Sequence, residues 1–419
     1  MTIFLSKIYF PIIVLILVYV LIAIRQIGKF RIQPWQSMML GAVLVLVTGQ
    51  IKPANAFKAV NFDVLIFLFG MFVIGEAFAQ SGYIYHLSYK AFNKAKTINQ
   101  LLWLIIISMG LLSPFFINDT MVIVSTPLII YLAKKQNIPA KPLILAMMFA
   151  VTTGSVFSPI GNPQNLLIAM NGNFSNPFIV FFKYLLIPTL INLFIIFFFI
   201  KLYYKKNLSN IKELIHSEEK PTDGNLYKIS KFSFYLTFAL IGLKMLSFLF
   251  GLGDSFKLTY ISLIASSPIL LFSSKRFSVL KKIDWYTLIF FSSMFILMES
   301  VWETGIFQKM VNGYNLSSIP VILVLSILTS QLISNVPFVS LYMPLILGLN
   351  ATAKELTALA AGSTIAGNLL ILGAASNIIA MQSAERNGEV LTFSDFAKIG
   401  IPLTAINAFV YWFFFNIIP

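Results

Sequence analysis

The sequence lacks cysteine altogether and contains little histidine and little charge. It has no Cys and only two His in 419 residues, and charged residues make up 11%. The absence of cysteine excludes disulfides, thiolate metal sites and cysteine nucleophiles. A soluble domain carries about 25% charged residues. This composition, with 58% hydrophobic residues, therefore indicates an integral membrane protein.

The few charged residues are mostly basic. Lys and Arg total 30 against 15 Asp and Glu, which gives a formal charge of +15. They lie in loops between apolar runs, which follows the positive-inside rule and predicts no nucleic-acid partner. The first apolar run is followed by Arg25, Lys29 and Arg31, and no small-residue cleavage site of a signal peptide follows it. We therefore interpret this run as a transmembrane helix. The chain is expected in the inner or plasma membrane, surrounded by lipid, with its N-terminus outside.

Apolar runs recur along the whole chain. A transmembrane helix needs about 20 apolar residues, and the pattern predicts an all-α integral membrane protein with about ten transmembrane helices. Their bounds are near 8–24, 34–50, 62–81, 142–170, 178–200, 232–251, 258–274, 284–303, 356–384 and 399–418. Two more apolar segments, 99–133 and 319–349, are interrupted by polar residues, and we predict that each forms a re-entrant hairpin.

The second half of the sequence repeats the first half. Three features of the first half recur in the second half. Asn118 with Pro127 corresponds to Asn335 with Pro344, Phe67–Gly82 corresponds to Phe290–Gly305, and Gly161–Asn165 corresponds to Gly373–Asn377. Each half contains an odd number of predicted crossings, so the halves are expected to be inverted-topology repeats. We place the repeats at 1–200 and 232–419, joined by a cytoplasmic linker at 201–231.

The arms of the second hairpin are too short to cross the membrane twice. Arms at 319–334 and 336–349 would be about 24 and 21 Å long as helices, against a hydrocarbon core of ~30 Å. We expect them to stop inside the membrane, where irregular backbone is tolerated only beside protein or water. Two complete spans joined by an exposed turn remain the alternative.

Each hairpin tip carries residues suited to begin a helix. Asn118 and Asp119, followed by Thr120, form the first tip, and Ser334 and Asn335 form the second. Asn, Asp and Ser are good N-caps. Two helix N-termini with partial positive charge would face one another, and that arrangement attracts an anion.

Two of the predicted spans contain helix-breaking motifs. Asn162 is expected to cap a helix that starts at Pro163, and Ser376 to cap the helix that contains Asn377. Carbonyl groups freed by such breaks commonly coordinate Na⁺ or relay H⁺. We therefore predict that these two motifs, together with Asn165, border the substrate cavity. We also predict that Na⁺ binds near the two tips and the two breaks, at Asn118, Gly161, Asn335 and Gly373. An ordinary helix kink is the alternative.

Three carboxylates are candidates for ion coupling. Asp119 lies at a predicted tip, where an ionisable residue is costly and therefore a functional candidate. Glu76 and Glu299 occupy equivalent positions in the two repeats. A helix-capping role for Asp119, and structural hydrogen bonds for the two glutamates, remain open.

The chain resembles the ion transporter superfamily, which includes divalent anion/sodium symporters, citrate-transporter-like permeases, arsenite permeases and sodium/proton antiporters. The resemblance rests on the Asn–Pro hairpins and both break motifs, preceded in the second half by Gly362–Asn368. It implies a hairpin-bearing domain that moves against a scaffold, and a homodimer. The dicarboxylate branch has Ser-Asn-Thr at both tips. In having an acidic residue directly after Asn118, the first tip is more similar to the arsenite-permease and antiporter branch.

These observations predict a secondary active transporter of a small inorganic or organic anion, coupled to H⁺ or Na⁺, without another cofactor. Sodium/proton antiport is the main alternative, and a passive channel and a membrane-embedded enzyme are more remote. Neither histidine lies at the proposed site, which disfavours catalysis. The predicted substrate-binding residues are Asn118, Asp119, Thr120, Asn162, Asn165, Ser334, Asn335, Ser376 and Asn377.

Overall fold

The protein is built almost entirely from α-helices. The computed structural model describes residues 2–24, 26–27, 30–83, 86, 92, 95–116, 118–205, 224–250, 256–306, 309 and 316–418. Within these ranges the chain forms 18 α-helices and one short antiparallel ribbon, Gln26–Ile27 with Phe30–Arg31. The predicted all-α class is confirmed.

The helices of the first half are α1 (Thr2–Ile24), α2 (Pro34–Val47), α3 (Pro53–Ala59), α4 (Phe62–Ser81), α5 (Ile98–Leu112), α6 (Asn118–Lys135), α7 (Ala140–Gly154), α8 (Pro163–Asn171) and α9 (Pro177–Tyr203). Those of the second half are α10 (Gly224–Leu249), α11 (Leu258–Phe272), α12 (Arg276–Lys282), α13 (Trp285–Trp302), α14 (Ile319–Ile333), α15 (Asn335–Gly348), α16 (Ala353–Ile365), α17 (Ala375–Arg386) and α18 (Phe393–Ile417).

Seven helical segments of the described chain are long and apolar enough to cross a membrane. They are Phe62–Ser81, Ile98–Phe115, Ala140–Phe157, Pro177–Tyr203, Gly224–Phe248, Trp285–Trp302 and Phe393–Ile417. All but Ile98–Phe115, the first arm of the first hairpin, coincide with predicted spans. The apolar stretches of α1, α2 and α11 are shorter. Residues 206–223 of the predicted linker lie outside the described residues.

Equivalent helices of the two halves make equivalent contacts. Helix α2 packs against α13, and its counterpart α11 packs against α4. The first hairpin arm α5 packs against α7, as α14 does against α16. The second arms cross between the halves, because α6 packs against α17 and α15 packs against α8. The packing therefore follows the sequence duplication.

Helices α7 and α16 are the most deeply buried of these elements. Every residue from 142 to 154 in α7, and every residue from 356 to 365 in α16, is buried. Both sequences lack a polar face and are rich in Ala, Gly, Ser and Thr. A helix that is apolar all round is typical of a protein interior, and small residues let neighbouring helices approach closely.

The closest approach involves α5 and α7. A Cβ atom added to Gly154 would collide with the backbone oxygen and Cα of Gly110. Backbone atoms cannot move aside as a flexible side chain can. The first hairpin is therefore held against α7 by two glycines that leave no room for a methyl group.

We expect Gly154→Ala to lower the thermal unfolding temperature of the purified protein, because the methyl group forces α5 and α7 apart at a cost of about 1–3 kcal/mol. Gly242→Ala in α10 is the matched control, since a Cβ there meets no atom of the described residues within 4 Å. Equal unfolding temperatures for the two variants would contradict the close contact.

Candidate functional site

The first hairpin tip is closed by side-chain hydrogen bonds. Helix α5 continues into a 3₁₀ turn at Ser113–Phe115, and α6 begins at Asn118, which is only 9% exposed. The Ser113 hydroxyl lies 2.9 Å from Asn118 Oδ1 and 2.6 Å from the Val151 carbonyl, so it can donate to either. Asn118 Nδ2 donates to Ser155 Oγ at 3.2 Å. Asn118 is thus buried within the protein, while the first arm, Ile98–Phe115, is long and apolar enough to cross a membrane.

The first broken span has the predicted geometry. Helix α7 ends in a 3₁₀ turn at Ser155–Phe157, and Asn162 caps α8 by accepting from the Asn165 backbone N–H at 2.9 Å. Asn165 Nδ2 lies 3.0–3.2 Å from the carbonyl oxygens of Ser155, Val156 and Ser158. A single amide group thus satisfies carbonyls that the break removes from the helix.

A buried threonine from the second half completes this network. Asn162 Nδ2 donates to Ser155 Oγ at 3.1 Å and to Thr364 Oγ1 at 3.2 Å. The Thr364 hydroxyl in turn donates to Asn165 Oδ1 at 3.1 Å. The polar chain therefore runs from the first tip through the first break to α16. Sequence reasoning did not select Ser155 or Thr364, although Thr364 lies within the glycine-rich motif before the second break.

The second broken span repeats part of this arrangement. Asn377 Nδ2 donates to the Gly367 carbonyl at 2.6 Å, as Asn165 does to the equivalent Ser155 carbonyl. The prediction that Ser376 caps α17 is wrong. The backbone is already extended at Ala374, so the helix starts at Ala375 and Ser376 lies inside its first turn.

The second hairpin tip is less well satisfied than the first. Ser334 has φ 70° and ψ 158°, a strained conformation for a residue other than glycine, and its side chain makes no cap hydrogen bond. Asn335 is 8% exposed, and its Oδ1 has no hydrogen-bond partner among the described residues. Ser330 Oγ and Gln331 Oε1 also lack partners. Several oxygen atoms near the second tip are thus available to a ligand.

The two break glycines pack on these polar groups. A Cβ at Gly161 would lie 2.7 Å from the Ser155 carbonyl oxygen, and a Cβ at Gly373 would lie 2.7 Å from Gln331 Oε1. Around Gly373 the oxygen chemistry fits Na⁺, because Gln331 Oε1 is unpaired and lies beside the break. At the first tip the Asn118 amide already has partners, so the fit there is poorer.

The three candidate carboxylates lie in different surroundings. Asp119 is partly buried in the first turn of α6, within electrostatic range of Asp284. Glu76 accepts from Gln80 Nε2 at 2.8 Å. Glu299 borders a cavity of about 240 Å³. The structure therefore does not bring the three together. The side chain of Thr120 lies outside the described residues.

We expect Thr364→Val to reduce stability by about 1–3 kcal/mol, because it leaves the buried Asn165 Oδ1 without its donor and removes one of the two acceptors of Asn162 Nδ2. Thr357→Val is the matched control in the same helix, since the Thr357 hydroxyl contacts only carbonyls of its own helix. Thermal unfolding of the purified variants measures the difference. Equal stabilities would show that the network does not join the two halves.

Two proteins with sequences similar to this chain are named as a transporter and as a membrane protein. Silicon efflux transporter LSI3 of Oryza sativa subsp. japonica is 26% identical over 88% of this chain and 89% of its own length. The 46 kDa membrane protein of Mycobacterium leprae is 24% identical, with coverage of 94% and 95%. The P protein of Homo sapiens is 23% identical over 94% of this chain and 58% of its own length.

Solved transporter structures share the fold at low sequence identity. The YdaH transporter of Alcanivorax borkumensis has a TM-score of 0.59 and 12% identity, covering 99% of this chain and 97% of that one. MtrF of Neisseria gonorrhoeae has a TM-score of 0.55 and 12% identity, covering 98% and 94%. The protein is thus a multi-pass membrane protein with a transporter fold.

The sequence model of the citrate transporter family matches residues 19–357. This match includes both hairpins and the first broken span. Because it extends over most of the chain, the protein belongs to the citrate transporter family.

Proposed function

We propose that this protein is a secondary active transporter that moves a small inorganic or organic anion by alternating access, coupled to H⁺ or Na⁺. The observation that carries the proposal is that four helices, at the two hairpin tips and the two breaks, each have a buried polar residue at or next to their first residue. Helices α6, α8, α15 and α17 start at or next to Asn118, Asn162, Asn335 and Ser376, all buried.

The buried helix starts support an anionic substrate. A helix N-terminus presents free N–H groups and a partial positive charge, and in an apolar interior these groups need a partner. The helices also pack in crossed pairs, α6 with α17 and α15 with α8. Each pair joins a hairpin arm from one half to a broken span from the other. An anion held by these helix starts would be bound by both halves together.

We infer that the two halves, 1–200 and 232–419, are inverted repeats. The equivalent packing of their helices supports the duplication, and the odd number of crossings predicted in each half supports the inversion. In transporters, inverted repeats place the substrate at the repeat interface and allow access from either side in turn. The network through Thr364 lies at such an interface.

The second tip is the better candidate for a coupling Na⁺. Its unpaired oxygens belong to Ser330, Gln331 and Asn335. At the first tip Asp119 supplies a carboxylate that could carry H⁺ or contribute a negative charge to Na⁺ binding. Glu76 is better explained as structural, since its carboxylate is already bound by Gln80.

The names of the family and of one relative suggest which solutes a transport assay should include. The family description names citrate, and the relative from rice is named for silicon efflux. Citrate, other carboxylates, sulfate, arsenite and silicic acid therefore form the first panel. Family membership also favours transport over catalysis.

Sodium/proton antiport is the second candidate, and the observation that favours it is the carboxylate of Asp119 beside a buried tip asparagine.

We expect Asp119→Asn to abolish gradient-driven transport while the protein stays folded, because the amide preserves size but carries no charge. Protein reconstituted in proteoliposomes would be tested for movement of each solute under imposed H⁺ and Na⁺ gradients. Exchange of labelled for unlabelled solute without a gradient should persist in the variant.

Asp63→Asn is the matched control for this experiment. Asp63 forms an exposed ion pair with Lys257 at 3.3 Å, and such pairs contribute little to stability. If transport by Asp119→Asn depends on the imposed gradients as the wild type does, Asp119 has no coupling role and only occupies the start of its helix. Na⁺-driven H⁺ movement without transport of any solute would instead establish the antiporter.

A further inference from the structure

The cavity beside Glu299 is separate from the hairpin tips. It has a volume of about 240 Å³ and lies between α13, α15, the end of α8 and the start of α4. Its polar lining comes from Asn61, Asn171, Glu299 and Ser340, and its apolar lining includes Phe295 and Trp302. We call it the Glu299 cavity.

The neutral polar groups of this cavity present mainly oxygen atoms. Asn171 Nδ2 donates to the Leu167 carbonyl at 2.8 Å, and the Ser340 hydroxyl donates to the Pro337 carbonyl at 2.8 Å. The Ser340 hydroxyl hydrogen and one N–H of the Asn171 amide are thus used within their own helices, which leaves Asn171 Oδ1 and the Ser340 lone pairs available. Asn61 differs, because its Oδ1 accepts from the Val64 backbone and its amide N–H₂ group remains.

Among the described residues, the carboxylate of Glu299 has no counterpart of the amide donor that Glu76 has. In the first half Glu76 accepts from Gln80 at 2.8 Å, and Lys282 lies within electrostatic range. The position equivalent to Gln80 is Glu303, which has no amide to donate and itself accepts from Asn55 Nδ2 at 2.8 Å. The charged group that acts on Glu299 is therefore a second carboxylate.

These features select a cation of low charge. One cavity-lining carboxylate supplies a single negative charge, which one monovalent cation balances, and the few oxygen-bearing side chains are well short of the roughly six to eight oxygen ligands that Ca²⁺ takes. The volume leaves room for a cation that keeps several of its water molecules. The aromatic side chains of Phe295 and Trp302 also line the cavity, and an aromatic ring attracts a cation placed over its face.

We propose that the Glu299 cavity binds a partly hydrated monovalent inorganic cation, Na⁺ or K⁺, at a site distinct from the hairpin tips. Glu299 lies on α13 and Ser340 on α15, so the bound cation would hold the second hairpin against α13. This role rests on the proposed transport function, but cation binding itself does not.

The test is equilibrium binding of radioactive sodium, and of radioactive rubidium as a substitute for K⁺, to the purified full-length protein. We expect saturable binding of at least one ion to the wild type. Glu299→Gln should lose this component or weaken it at least about tenfold, as expected when a buried ion loses its charged partner. Ser340→Ala should weaken it less. Glu76→Gln is the matched control and should bind as the wild type does.

The outcomes separate this site from the proposed function. If Asn335→Ala abolishes transport yet keeps the Glu299-dependent binding, both proposals stand. If Glu299→Gln binds as the wild type does, the Glu299 site is overturned and the transport proposal is unaffected. If neither ion binds saturably to the wild type, the Glu299 site and the Na⁺ site proposed at the second tip both fail, and transport coupled to H⁺ still stands. If the Glu299-dependent binding is present but no solute or ion moves in proteoliposomes, the transport proposal alone fails.

Discussion

The structure depends on satisfying backbone polar groups where helices are interrupted inside an apolar protein. Each break frees N–H and C=O groups that neither lipid nor hydrocarbon side chains can bind. Asparagine is the side chain that solves this problem here, because one amide supplies both a donor and an acceptor. Asn162 caps α8, and Asn165 and Asn377 bind carbonyls left open at the two breaks.

This constraint also explains why the centre of the protein is polar yet tightly packed. Helices α7 and α16 are buried along most of their length and carry small or hydroxyl-bearing residues. Small side chains allow neighbouring backbones to approach, as at Gly110 and Gly154. The hydroxyls of Ser155 and Thr364 then bridge the amides of different elements, so that close packing and the polar network depend on the same residues.

The two halves share a packing plan but differ in chemistry. The first tip is closed by Ser113 and Ser155, whereas oxygens at the second tip remain unpaired. Glu76 has Gln80 as a partner, whereas Glu299 has a carboxylate at the equivalent place. Duplication preserves the backbone arrangement because packing requires it. Individual polar side chains can diverge, and these differences would assign ion binding unequally to the two halves.

The sequence by itself determined the membrane setting, the helical class, the duplication and the positions of the hairpins and breaks. These follow from apolar length and from residues such as Asn162 and Pro163, whose local preferences fix a helix start. It did not show that α17 starts ahead of Ser376, since that depends on the backbone at Ala374. Nor could it show that Thr364 reaches Asn162 across 202 positions, or that Glu299 faces a cavity. Tertiary structure decided these points, because side chains distant in sequence meet only after the helices of the two halves have packed together.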